Sequence, residues 1–234
     1  MAADNTVWYS MNINEFYVIL AALGIRKWYG FGVSDEDMPG TCEDVNRLLA
    51  DLYRNEVISF DDAKLVLEKG YSEVFDVLKE AGKCILSIGA EGSGKTVISY
   101  MSGDQVVMTE RDHAGEATIR MSLTSKSRWP RAIMREVMDI DSISKGQVRI
   151  SDEEVRTLNR KNMTAAETAS SRDVLAVFDM IEIQTGSTEE RLTIREKGLL
   201  QYMVYERSDS EDLSIMEGGL AETGRFLGKW SAEK

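Results

Sequence analysis

The chain has 234 residues, with 28 Lys and Arg against 40 Asp and Glu, so its formal net charge is −12. That acidity argues against nucleic acid and anionic membrane surfaces, both of which reward clustered Lys and Arg. No apolar run reaches the roughly 18 residues of a membrane span and the N-terminus lacks a signal-peptide layout, so a cytoplasmic location is expected.

Helical signals dominate residues 14–82, preceded by a stretch, 1–10, that reads as a start-site extension or tail. Asn14 can cap a helix from Glu15 to Leu23, with Gly24 stopping it. Trp28-Tyr29-Gly30-Phe31 follows as an aromatic, glycine-punctuated loop. Thr41-Cys42-Glu43-Asp44 reads as a capping box, opening a helix with Val45, Leu48, Leu49, Leu52 and Tyr53 on one face. Ser59 is placed to cap a short helix carrying Ala63, Val66 and Leu67. Ser72 is placed to cap another, with Phe75 and Leu78, ended by Gly82.

Gly89 to Thr96 matches the phosphate-binding loop pattern G-x-x-x-x-G-K-[ST], with Gly89, Gly94, Lys95 and Thr96 at its fixed positions. In such a loop, backbone amides cradle the phosphates, and a helix opening at the threonine adds its positive end. Here Thr96 is followed by Val97-Ile98-Ser99-Tyr100-Met101 and a Ser-Gly-Asp turn cluster, which suits a strand. Cys84 to Ile88 reads as a strand too, so a hairpin with Gly92 and Gly94 at its tip is the simpler picture. The run Val174 to Asp179 resembles a magnesium-holding Walker B strand, but Val174, Val177 and Phe178 at helical spacing make an amphipathic helix the stronger reading.

Strands are predicted near 84–88, 96–101, 105–111 and 116–122, after which Trp129-Pro130 marks a joint and Pro130 opens a helix over 131–139. Capping boxes at Ser151 and Thr164 open helices near 152–161 and 165–179. A second group of strands follows near 180–185, 190–196, 199–206 and 212–216, then an amphipathic helix over 220–230. A shift of 96 positions lays the second group on the first in apolar pattern, Ile85 on Ile181, Ile98 on Ile194 and Ile119 on Ile215. In the second copy Glu190-Arg191-Leu192 replaces Gly94-Lys95-Thr96, so a fold shared by both copies needs no nucleotide.

The expected architecture is α+β in two similar halves, each with helices first and an antiparallel β-meander second. The first half spans 11–125, with helices in 14–82 and a meander in 84–122. The second spans 130–234, with helices in 131–179, a meander in 180–216 and the terminal helix in 220–230. The two sheets can join edge to edge across a pseudo-twofold axis, hiding edges that invite aggregation.

Catalytic chemistry has few candidates. His113 is the one histidine and sits in a turn, and Cys42 and Cys84 have no metal or redox spacing. No metal site or cofactor is expected, since Asp35-Glu36-Asp37 and Asp209 to Asp212 read as solvated loop charge. A catalytically bare acidic protein points to protein binding. Trp28, Tyr29, Phe31, Phe226 and Trp230 are its candidate contact aromatics, with cover of the core as the competing reading.

The layout resembles the EspG family of cytosolic chaperones of type VII secretion. The resemblance is carried by "LLADLYRNEVIS", "EVFDVLKEAGKCILSI" and "KTVISYMSGDQVVMTER" between Leu48 and Ser122, and by "GLLQYMVYERSDSEDLSIMEGG" before a terminal helix. It implies a mixed α/β protein with a central sheet, no enzymatic activity and a helical secreted protein as partner; it carries over no site residue. A P-loop hydrolase using Gly89–Thr96 is the alternative, and a self-assembling homo-oligomer without a client is the third reading.

Overall fold

The computed structural model describes residues 7–30, 40–62, 64–90, 95–112, 118–138, 158, 163–198, 200–210 and 213–232. Phe31, Asp35 to Asp37, Gly92, Gly94, His113, Glu211, Asp212 and all of the expected 152–161 helix except Leu158 lie outside them. The described residues form an α+β fold built on a nine-stranded antiparallel sheet.

In chain order the elements begin with β1 (Trp8–Asn12), α1 (Ile13–Ala22), α2 (Cys42–Arg54), the hairpin β2 (Ile58–Asp61) and β3 (Lys64–Leu67), and α3 (Lys69–Glu80). The first meander is β4 (Lys83–Gly89), β5 (Thr96–Ser102), β6 (Gln105–Asp112) and β7 (Thr118–Ser125), followed by α4 (Trp129–Val137). After α5 (Ala165–Ala169) come β8 (Val174–Glu182), β9 (Thr188–Lys197), β10 (Leu200–Arg207), β11 (Leu213–Glu217) and α6 (Leu220–Ala232). The strand order is β1-β7-β6-β5-β4-β8-β9-β10-β11, so the two meanders meet at β4 and β8. Cys84 lies opposite Ile181 and Ile85 opposite Met180 in that ladder.

The period of two in each strand divides the core between the faces. Cys84, Ile98, Tyr100, Val107, Ile119, Met121 and Ile181 meet Phe16, Ile19, Phe75 and Leu78 of α1 and α3 on one face. Ile85, Val97, Val106, Met108, Phe178, Ile194 and Met203 meet Trp129, Ile133, Leu227 and Trp230 of α4 and α6 on the other. Trp129 is fully buried, and its indole N–H donates to the Ser99 hydroxyl at 2.9 Å.

Several expected elements are corrected. The segment expected as a tail contains β1, whose Met11 and Tyr9 reach the core while Trp8 receives the Arg120 guanidinium over its ring at 4.6 Å. Helix α1 starts two residues earlier than expected: Asn12, not Asn14, is the cap, accepting from the Asn14 N–H while Glu15 takes the Asn12 N–H, each at 2.9 Å. The helix expected after Ser59 is the β2–β3 hairpin, turning through Asp62 at φ +47°, a left-handed conformation that Asp tolerates. Helix α3 begins at Lys69, ahead of the expected Ser72 cap.

The expected 165–179 helix stops at Ala169, and Val174 to Phe178 belongs to β8. A strand in the middle of a sheet is buried on both sides, so its apolar run carries no alternation to set it apart from a helix. The gapless repeat also fails beyond the central pair. Ile98 lies opposite Leu86, but Ile194 lies opposite Ala176, six residues short of the position a 96-residue shift requires.

Cys84 is buried and burial pushes its thiol up to about 12, while Cys42 is exposed. Thiolate is the reactive form. A colorimetric thiol reagent at pH 8 should therefore titrate Cys42 promptly in the native protein and Cys84 only after denaturant is added. Prompt reaction of both would mean that the core around Cys84 is open.

A candidate docking cleft on the sheet face

Strand register sets a charged row across three neighbouring strands. Asp179 on β8 lies opposite Arg191 on β9, and Arg191 lies opposite Glu206 on β10. Their exposures are 2%, 8% and 4%, so the row is buried. Arg191 donates from Nε to Asp179 Oδ1 at 2.6 Å and from Nη2 to Oδ2 at 2.7 Å, a bidentate fork. Its Nη1 donates to the Met163 carbonyl at 2.7 Å and to Thr168 Oγ1 at 3.2 Å, which ties α5 down onto the sheet. Burial acts to lower the Arg191 pKa, but the hydrogen-bonded charge of Asp179 outweighs it, and the guanidinium is held above its ordinary value.

Helix α5 is only five residues long and depends on its cap. The Thr164 N–H donates to Glu167 Oε2 at 2.7 Å and the Glu167 N–H donates to Thr164 Oγ1 at 3.2 Å, closing a full capping box. The Thr164 backbone and hydroxyl bonds lower the Glu167 carboxyl. Between α5, the β9–β10 end of the sheet and Tyr29 lies a cleft of about 560 Å³. Leu86, Ile88, Met163 and Ala165 give it apolar walls, the charged row forms its floor, and Glu189, Glu190, Arg207 and Ser208 stand around it. A cleft of this size falls in the range of ligand-sized pockets.

The aromatic residues singled out in the sequence fall in different places. Trp28 is half-buried, stacked on Tyr100 at 6.3 Å and edge-on to Phe16 at 5.0 Å, inside the first core. Tyr29 lines the cleft, and its carbonyl accepts the Tyr100 hydroxyl. Phe226 and Trp230 pack on Tyr205 at 5.2 and 6.4 Å, and Trp230 is 3% exposed, so both fill the second core. Among the described residues the exposed aromatics are instead Tyr53 and Phe60, a ring pair 6.1 Å apart between α2 and the β2–β3 hairpin. Asp179, the carboxylate that ends the run resembling a Walker B strand, is engaged by Arg191.

The phosphate-loop string lies at the β4–β5 turn. Gly89 N–H donates to the Lys95 carbonyl at 3.1 Å, Thr96 opens β5 and lies opposite Ile88, and the chain beyond it is strand, not helix. Lys95 Nζ is 2.7 Å from Glu136 of α4. Gly94 lies outside the described residues.

These features define a protein of the α+β class: one large antiparallel sheet, helices on both faces, and a cleft floored by a buried ion pair. The fold is similar to that of a solved type VII secretion chaperone. The chain is similar to EspG5 of Mycobacterium tuberculosis, solved in complex with the PE25–PPE41 dimer, with a TM-score of 0.55, 10% identity and 94% of each chain covered. No family model and no curated protein matches the sequence. Among the described residues no helix is long and apolar enough to cross a membrane.

Two outcomes test the site. Removing one member of a buried pair strands a charge, so Asp179→Ala should cost about 3–5 kcal/mol, whereas Asp179→Leu with Arg191→Met should recover most of it. Urea unfolding of the three proteins measures the difference; an Asp179→Ala protein as stable as the parent refutes the buried pair. Millimolar Mg-ATP or Mg-GTP should leave the melting temperature unchanged, in the parent and in Lys95→Ala alike. A nucleotide shift that Lys95→Ala abolishes would restore the phosphate-loop reading.

Proposed function

We propose that this protein is a non-enzymatic cytoplasmic chaperone or adaptor for type VII secretion, which holds a helical secreted protein before export. The carrying observation is the cleft beside Tyr29 and α5, on a fold similar to that of a chaperone solved with a PE–PPE dimer. Its volume and apolar walls suit the tip of a helical hairpin, whose side chains would replace water over Leu86 and Ile88. Nothing in the cleft requires a reaction: Arg191 and Asp179 are spent on each other.

We also read the chain as two related halves, 11–125 and 130–234, joined at β4 and β8. The central register supports this, because a shift of 96 exchanges the pair Cys84–Ile181 with the pair Ile85–Met180. On this reading the client is gripped where the halves meet, with β4 from the first and β8, β9 and α5 from the second.

Co-expression with a helical secreted protein of the kind represented by a PE–PPE dimer should yield a complex that survives size exclusion. Ala166 is exposed on α5 and lines the cleft, so Ala166→Trp should plug it without touching the core and weaken that complex at least tenfold. Isolation of the chain free of any helical partner from cells expressing the whole locus would overturn the chaperone reading.

A further inference from the structure

We propose that β3 pairs with itself: two copies of the chain join antiparallel along residues Lys64 to Glu68, with a twofold axis at Val66. This stands apart from the cleft and from the chaperone reading. Among the described residues β3 has β2 as its one strand neighbour, so its far side is an edge. A two-stranded hairpin is marginal in water and gains from a further strand. Register tells which backbone groups that edge offers. The Glu68 N–H donates to the Val57 carbonyl at 3.0 Å, Val66 lies opposite Ser59, and Lys64 lies opposite Asp61. Hydrogen-bonded pairs alternate with non-bonded ones along an antiparallel ladder. Lys64, Val66 and Glu68 therefore turn their main-chain groups towards β2, and Leu65 and Leu67 turn theirs outward. The side chains of these leucines pack against the first core, which holds the outward groups in place.

The side chains along that edge match a reversed copy of themselves. Val66 is 42% exposed, and Lys64 and Glu68 are exposed on either side of it. Neither of those two charges has an ion-pair partner among the described residues. Glu68 is extended, at φ −59° and ψ 148°, and makes no side-chain cap to α3, so strand geometry reaches it. A copy centred on Val66 sets Leu65 opposite Leu67 of the second chain, where the outward groups of both exchange hydrogen bonds. It sets Val66 against Val66 and Lys64 against Glu68, the last pair twice, because the axis generates both. The run Lys-Leu-Val-Leu-Glu thus meets its own reverse with opposite charges at the ends and aliphatics between them. Cross-strand pairs of opposite charge stabilise a sheet, and like charges placed opposite destabilise it. β2 has no such match: reversed about Phe60, it sets Ser59 against Asp61. The contact is short, so the dimer is a weak, concentration-dependent one.

The test needs no client. Sedimentation equilibrium from micromolar to about millimolar protein should show a monomer–dimer equilibrium. Lys64→Glu and Glu68→Lys each set like charges opposite one another at two places, and each should weaken the dimer about tenfold or more. An equimolar mixture of these two variants should dimerise again, because each then meets the opposite charge, and so should the double variant. On oxidation, Val66→Cys in a Cys42→Ser background should cross-link into a dimer, whereas Lys64→Cys in the same background should not. If a charge variant fails to fold, this cross-link decides the matter. A monomer at every concentration, an undiminished dimer in either charge variant, a mixture that stays monomeric, or equal cross-linking at both positions overturns the pairing. Each of those results leaves capture of a helical client standing. A chain that dimerises as described but captures no helical protein loses the chaperone reading and keeps this one.

Discussion

The antiparallel ladder between β4 and β8 is the contact on which the rest of the molecule depends. It pairs Lys83 through Gly89 with Glu182 through Ala176, segments nearly a hundred residues apart in the chain. Without it each meander would end in an open strand edge at the centre of its own apolar layers, a template for aggregation. With it, both faces run unbroken across nine strands. The second core shows the consequence: Ile85 and Met108 from the first meander share it with Phe178 and Met203 from the second. Closing so long a loop costs entropy that is recovered only when both layers dock, so a ladder of this kind forms late and cooperatively.

That geometry also explains why charge is buried where it is. On the face carrying α1 and α3, the described helices concentrate over the first meander, where Phe16 and Phe75 meet Tyr100. Over β8 and β9 the same face carries, among the described residues, short α5 and the residues near it. Its inward positions there include Asp179, Arg191, Thr193 and Arg195 beside aliphatics such as Val177. A bidentate pair in such a place adds little to stability compared with packed hydrocarbon, because desolvation consumes most of its attraction. It does fix orientation. The same guanidinium that grips Asp179 also holds the Met163 carbonyl, so the wall and the floor of the cleft are set by one side chain.

Much of the fold was legible in the sequence, and the misses share a cause. Seven of the eight meander strands fall close to their expected positions, because β-branched runs between Gly, Ser and Asp turns mark an exposed-edge or half-buried strand clearly. Val174 to Phe178 was misread because a two-sided buried strand satisfies a helical face as well as it satisfies a sheet. Trp8 to Asn12 is too short to declare itself without β7 beside it, although Tyr9 inward, Ser10 exposed and Met11 inward do alternate. The cleft was the least legible part. Asp179, Arg191 and Glu206 are spread over nearly thirty positions, and only the register of β8, β9 and β10 puts them in line. Tyr29 was singled out as an aromatic in a loop, but nothing in its neighbours separates it from Trp28, which turns inward.

The phosphate-loop string shows how a sheet decides which groups can recognise a ligand. Anion binding at such a loop needs consecutive backbone N–H groups free to converge on one point. β5 lies between β4 and β6, with Thr96 opposite Ile88 and Val97 opposite both Ser87 and Glu110, so its backbone groups point sideways into two ladders. Lys95, the charge such a loop would offer, is turned to Glu136 instead. An interior strand has no main-chain donors left to give. Recognition on a continuous sheet therefore falls to side chains at two-residue intervals, which is the arrangement of Asp179, Arg191 and Glu206 across three neighbouring strands.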